Sequence, residues 1–281
     1  MADDALDNMK VALIVPAAGS GSRYSESGGL RSKLDEDLGG RPVLQRTLEA
    51  FVNHPEIGPL IKAIIVPGPH DPESLAEFKQ RHGDRLGIMG AHLCQGGSKE
   101  RYESVQAALK MLASLPIAAE ITHIAVHDAA RPCVSAELIS RVFDRAARAT
   151  AVIPAVDVSD TLKKVRDEEV DQDDDDPVSR ILGGPVKPAT RRVVVSAVDR
   201  SNLVQVQTPQ VFHMSIFQRA YAQKDLSSTD DAGLVERLGE TVQVVAGDVR
   251  NVKITRSQDL SLARAILGVS GPAERPVHKR F

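Results

Sequence analysis

Aromatic side chains are scarce here: they make up 3% of 281 residues, with no tryptophan. Such a chain is poorly equipped to build the aromatic platform on which single-stranded nucleic acids stack. Its core must come mainly from Val, Leu, Ile and Ala, a composition that suits parallel sheet covered by helices. Cysteine is also rare. Cys94 and Cys133 form no CxxC and no metal-ligand spacing, so they read as free thiols of a reducing compartment. No apolar run approaches the length of a membrane span. The first ten residues carry Asp3, Asp4 and Asp7 before any apolar run, which argues against a signal peptide. The expectation is a cytoplasmic protein with neither membrane nor nucleic acid as partner.

What is present is ordinary globular composition, 42% hydrophobic and 26% charged, which excludes disorder over the whole length. The net charge of −3 hides a split. Eight of the ten residues 167–176 are acidic; without them 35 basic residues face 30 acidic ones. The rest of the chain is therefore mildly basic, which favours an anionic ligand. The acidic run itself reads as a solvated loop, because crowded like charges repel.

Short apolar runs alternate with helical patterns. Strands are expected at 11–15, 61–66, 88–93, 123–127, 151–156, 242–245 and 252–255. Helices are expected at 42–52, 72–81, 100–113, 135–148, 214–223, 230–238 and 258–267. This rhythm predicts an α/β fold, a mostly parallel twisted sheet with helices on both faces. Short β-rich pieces at 161–165 and 192–198 interrupt it and read as an excursion from the main sheet. The expected organisation is a flexible N-terminus at 1–9, one domain at 10–268 with an arm at about 157–206, and a loose tail at 269–281.

Three segments carry chemistry. Pro16-Ala17-Ala18-Gly19-Ser20-Gly21-Ser22-Arg23 follows the first strand. Its glycines let backbone amides approach a phosphate, its alanines leave room for a flat base, and Arg23 adds a cation. Tyr24 stands where a dinucleotide fingerprint needs its third glycine, and no Gly-Lys-Ser/Thr follows. The loop alone is equally a tight strand-to-helix turn. His127-Asp128-Ala129-Ala130-Arg131-Pro132 lies at the C-terminal end of a strand, where open α/β sheets bind ligands. Asp128 can take a ribose hydroxyl or a divalent metal and Arg131 a phosphate, or the two can simply pair to close a loop. Gly96-Gly97 opens a helix containing Arg101 and Ser104, and offers either base recognition or plain capping.

Taken in order, VPAAGSGSR, the GG…R..SV turn, HDAARP, PAVDVSDTLK, VDRSNL, QTPQVF, TDDA and NVKIT resemble the 2-C-methyl-D-erythritol 4-phosphate cytidylyltransferases. The match runs from Val15 to Thr255. The resemblance implies a nucleotidyltransferase, Rossmann-like domain with a protruding β-arm, acting as a homodimer through that arm. It implies transfer of CMP from CTP to methylerythritol 4-phosphate with release of pyrophosphate, assisted by Mg²⁺, in non-mevalonate isoprenoid synthesis.

Carried over residue by residue, the resemblance places Ala17, Ala18, Gly19, Gly97 and Ser104 on cytosine, and Asp128 and Ala129 on the ribose. Asp128 is also the candidate metal ligand. Arg23 and Lys33 match the basic pair on the triphosphate, and Lys253 a lysine near the α-phosphate. Arg131, Thr161 and Arg200 match residues on the side of the sugar-alcohol phosphate, the last two reaching across the dimer. The chain departs from the family pattern in three places. Ser32-Lys33-Leu34 replaces Pro-Lys-Gln after a long loop, the GG turn has an extra residue before Arg101, and the arm is extended at about 166–191. Two alternatives stay open: another polyol phosphate such as ribitol 5-phosphate as acceptor, or a nucleotide-binding module without catalysis.

Overall fold

A computed structural model describes residues 3–19, 21–29, 31–170 and 189–271. The chain divides into two compact units, one made of residues 1–156 with 206–281 and the other of 157–205. The larger unit is built on a mixed sheet. Its strands are β1 (Val11–Ile14), β2 (Ile61–Gly68), β3 (Ala91–Gln95), β4 (His123–Val126), β5 (Ala151–Asp157), β9 (Gln210–His213) and β10 (Gln243–Ala246). They lie in the order β10-β5-β9-β4-β1-β2-β3. Along this order the pairings are parallel except those of β9, which runs antiparallel to both β4 and β5.

The central strands are apolar on both faces, as a sheet covered twice requires. Val11, Leu13 and Val15 of the first strand segment join one core cluster, while Ala12 and Ile14 join the other. Helices α3 (Val43–Val52), α4 (Pro72–Ile88), α6 (Ala136–Ala146) and α9 (Ser257–Leu267) pack in the first cluster. Helices α5 (Arg101–Ala113), α7 (Met214–Tyr221) and α8 (Ala232–Arg237) pack in the second. The remaining helices are short: α1 (Asp3–Asp7), within the N-terminal segment read as flexible, and α2 (Ser22–Glu26), inside the glycine loop. Leu6 and the buried Met9 bring that N-terminal segment onto the first core.

Three expectations need correction. The strand expected at 88–93 begins only at Ala91, because α4 continues past Arg81 to Ile88. Phe78, His82 and Leu86 recur every four residues on the buried face of that helix. Tertiary packing thereby outweighs the low helix propensity of Gly83 and Gly87. Gly90, at φ +69°, then turns the chain into β3. Residues 252–255 form no strand; Ile254 N–H reaches only the Ala130 carbonyl at 2.8 Å. Conversely, Gln210–His213, where no strand is expected, is the antiparallel strand β9 inside the sheet. A four-residue strand is decided by its long-range partners rather than by its own composition.

The smaller unit contains β6 (Leu162–Val170) paired antiparallel with β7 (Ala189–Val198), with a register shift between Lys164 and Val165. Arg191 and Arg192 form ion pairs with Glu168 and Asp167 across the two strands. The short β8 (Val204–Val206) leads back to the larger unit. Val165, Val194 and Val195 are exposed. The acidic run from residue 171 onward, the Gly183-Gly184-Pro185 break, Ser20 and the tail from residue 272 lie outside the described residues.

Candidate active site

The candidate site is a cleft of about 410 Å³ in the larger unit, over the C-terminal ends of β1 and β4. Its first wall is the loop after β1. Val15 and Ala17 donate their N–H groups to the carbonyls of Ile65 and Pro67, at 2.9 and 2.8 Å, which extends the β1–β2 ladder into the loop. Gly21 then takes a left-handed conformation, φ +69°, and caps α2, which carries Arg23. Ala17, Ala18 and Gly19 all line the cleft, but the Ala17 amide is already committed to Pro67.

The second wall is the turn before α5. Gly96 N–H donates to Gly68 O at 2.9 Å, and Gly97 N–H to Ser104 Oγ at 3.0 Å. A Cβ on Gly96 would lie 2.5 Å from Gly68 O and 2.6 Å from Ala18 Cβ. Glycine is thus required where this turn meets the first loop. Glu103 accepts from the amides of Lys99 and Glu100, at 2.9 and 3.4 Å, completing a capping box.

The third wall is the end of β4. His127 is fully buried, and burial pushes its imidazole down to about 4. Its Nε2–H donates to Arg131 O, the Thr208 hydroxyl donates to its Nδ1, and Thr208 Oγ1 accepts from Asp128 N–H, at 3.1, 3.1 and 3.0 Å. This neutral histidine is a brace for Asp128.

Asp128 faces Lys253 Nζ at 2.9 Å, Arg131 Nε at 3.2 Å and Arg101 Nε at 3.7 Å. Burial opposes its ionisation, but the three cations prevail and hold the carboxyl well below the usual range. The Asp–Arg pair and the ligand-facing position are therefore both realised. Arg131 stands behind the carboxylate, its Nη1 donating to Asn251 O at 2.7 Å.

Arg23, Lys33, Lys99, Arg101 and Lys253 line the cleft together with only two carboxylates, Glu100 and Asp128. Lys33 shows the consequence. Burial comes first and the charges of Lys253 and Arg23 add to it, so its ammonium is lowered in spite of Asp128. A site that holds cations against their own repulsion is built for a polyanion.

The structure thus gathers Ala17, Ala18, Gly19, Arg23, Lys33, Gly97, Ser104, Asp128, Ala129 and Lys253 around one cleft. Thr161 and Arg200 belong to the smaller unit, where both are exposed and Arg200 donates to Ser159 O. Asp128 does not fit a metal-ligand role, since its oxygens already face three cations. Among the described residues no group of three His, Cys, Asp or Glu side chains could hold a metal ion. The sequence reading also missed Arg101 as a site residue. Its Nη1 meets Asp231 at 2.6 Å, and Tyr221 Oη donates to the same carboxylate at 2.5 Å. Arg101 and Asp231 each sit in a motif, but their pairing appears only when the sheet brings α5 beside α8.

Comparison with known proteins places the chain in a family. The family model for 2-C-methyl-D-erythritol 4-phosphate cytidylyltransferase matches residues 11–177 and 170–269. The enzyme of that name from Rhodococcus jostii is 36% identical over 259 residues, 92% of this chain and 95% of its own. The one from Geobacillus thermodenitrificans is 34% identical, over 92% and 97%. The crystal structure of the Thermus thermophilus enzyme is 31% identical and superimposes with a TM-score of 0.62, covering 93% of this chain and all of its own. The chain belongs to the 2-C-methyl-D-erythritol 4-phosphate cytidylyltransferase family.

Proposed function

We propose that the cleft binds CTP and transfers its CMP moiety to 2-C-methyl-D-erythritol 4-phosphate. The products are 4-diphosphocytidyl-2-C-methyl-D-erythritol and pyrophosphate, within non-mevalonate isoprenoid synthesis. The observation that carries this reading is the excess of cations around Asp128, beside a loop and a turn that admit a flat base. The cytosine lies between Ala17–Gly19 and the Gly97–Ser104 turn, and Asp128 and Ala129 face the ribose. Arg23, Lys33 and Lys253 face the phosphates.

The acceptor is already an anion, so no general base is needed. One of its phosphate oxygens attacks the α-phosphorus in line, and the bond to the β-phosphate oxygen breaks as pyrophosphate leaves. Arg23 and Lys33 neutralise the charge growing on the leaving group, and Lys253 steadies the α-phosphate. Magnesium entering with the nucleotide would add charge neutralisation at the phosphates, and no described side chain is assigned to hold it. Arg131 orients Asp128. Thr161 and Arg200 bind the acceptor phosphate from the β6–β7 unit of a second copy, so the working form is a cytoplasmic homodimer joined through that arm, with residues 10–268 as its domain. The exposed Val165, Val194 and Val195 support such a contact.

The test is pyrophosphate release from CTP and Mg²⁺ with methylerythritol 4-phosphate, with ribitol 5-phosphate, and with no acceptor. Turnover is expected with the first and at least tenfold less with the second. Preference for ribitol 5-phosphate would reassign the acceptor, and CTP binding without any turnover would leave a binding module. Light scattering at the dimer mass checks the assembly.

A further inference from the structure

Lys33 sits where its neighbours repel it, on a stretch of chain with little regular structure to hold it. Between α2 and α3 the only ladder among the described residues is one bridge, Asp37 to Pro42, and Gly28, Gly39 and Gly40 all have positive φ. The buried Leu34 sets how deep the segment sits, and the carbonyls of Leu34 and Glu36 accept from the α3 amides of Leu44 and Val43, at 3.3 and 3.0 Å. Two residues beyond Lys33, the Asp35 carboxylate crosses to α4. It accepts from His82 Nε2 at 2.6 Å and pairs with Arg81 Nη1 at 3.1 Å.

His82 is no surface residue. It is 3% exposed, and its ring packs against Phe78 with centroids 4.7 Å apart. A carboxylate only accepts, so Nε2 carries the proton. Tyr24 Oη to Glu36, at 3.0 Å, and Arg264 to Asp37 O, at 3.0 Å, hold the segment further along. The Asp35 pair is the side-chain tie to another element that lies nearest Lys33.

We propose that His82, acting through Asp35, is a positioning residue for this reaction: it fixes the segment that presents Lys33 to the nucleotide's polyphosphate. The inference rests on the reading of Lys33 as a polyphosphate ligand. A misplacement of order 1 Å in such a group is enough to slow an in-line displacement substantially.

A double-mutant cycle tests it. Steady-state kinetics with CTP and methylerythritol 4-phosphate are compared for the unaltered protein, His82→Ala, His82→Gln, Lys33→Ala and the His82→Ala/Lys33→Ala pair, with thermal melts of each. His82→Ala is expected to lower kcat about tenfold while KM for the acceptor stays within about twofold. A glutamine side-chain amide can donate in place of Nε2–H, so His82→Gln should recover most of the rate. In the Lys33→Ala background, His82→Ala should add less than about twofold, because the group it positions is gone. Full additivity, or a normal rate in folded His82→Ala, overturns the inference. If Lys33→Ala is itself silent, the reading of Lys33 fails and takes the inference with it. A slow Lys33→Ala beside a normal His82→Ala sinks the inference alone. Should His82→Ala not fold, Asp35→Asn at the other end of the same bond is expected to give the same non-additivity with Lys33→Ala.

Discussion

Lys33 concentrates the conflict between stability and function. Burial and two neighbouring cations lower its pKa in the folded chain, whereas the unfolded chain leaves it at the ordinary value. Between those two values the unfolded state binds more protons, so stability rises with pH across that window; at neutral pH the charged lysine costs stability. Lys33→Met should therefore stabilise the ligand-free protein by about 1 kcal/mol in urea unfolding at neutral pH. That advantage should shrink as pH rises toward about 10.4, the unperturbed lysine value. Turnover of the same variant should fall about a hundredfold. A variant that is less stable than the original at neutral pH would show that Lys33 is not held against repulsion.

Among the elements, the glycine turn before α5 is tightly constrained by its neighbours. A methyl group on Gly96 meets a backbone carbonyl at 2.5 Å and Ala18 at 2.6 Å, so it must push the turn away from the first loop. Gly96→Ala is expected to raise KM for CTP about tenfold and to leave the acceptor KM within about twofold, since only the base pocket widens. An unchanged KM for CTP would remove the turn from base recognition. Most elements were legible because their apolar spacing is local, as in α3, α6 and the both-faces-buried β1. Two of those misread share one cause. The far half of α4 is held by Phe78, His82 and Leu86 against the core, and β9 by partners on either side of it. Neither support lies within the window in which a periodicity is read.

For the whole molecule, the net charge of −3 is an average over unlike parts. The cleft has five cations against two carboxylates, while much of the acidic surplus lies in residues 167–176. The ionic strength of the medium should therefore govern nucleotide binding. Raising KCl from about 50 to about 500 mM shortens the Debye length from roughly 14 to roughly 4 Å. CTP affinity by calorimetry should fall about fivefold or more over that range. A salt-insensitive affinity would mean that the cations are neutralised within the protein. No helix among the described residues is long and apolar enough to cross a membrane.

Most strands of the sheet, the order of the motifs and the cations they carry were legible in the sequence, because these depend on short stretches of chain. How the charges are shared depends on contacts between distant parts of the chain. Arg101 and Asp231 are 130 positions apart, and His82 and Asp35 are 47 apart. Nothing local couples such pairs; the strand order and the helix faces bring them together. The same folding placed three cations on Asp128 and so removed it from the metal ligands. A carboxylate's role is set by the charges within a few ångströms of it, and those come from the loop after β4, α5 and the segment before α9 at once.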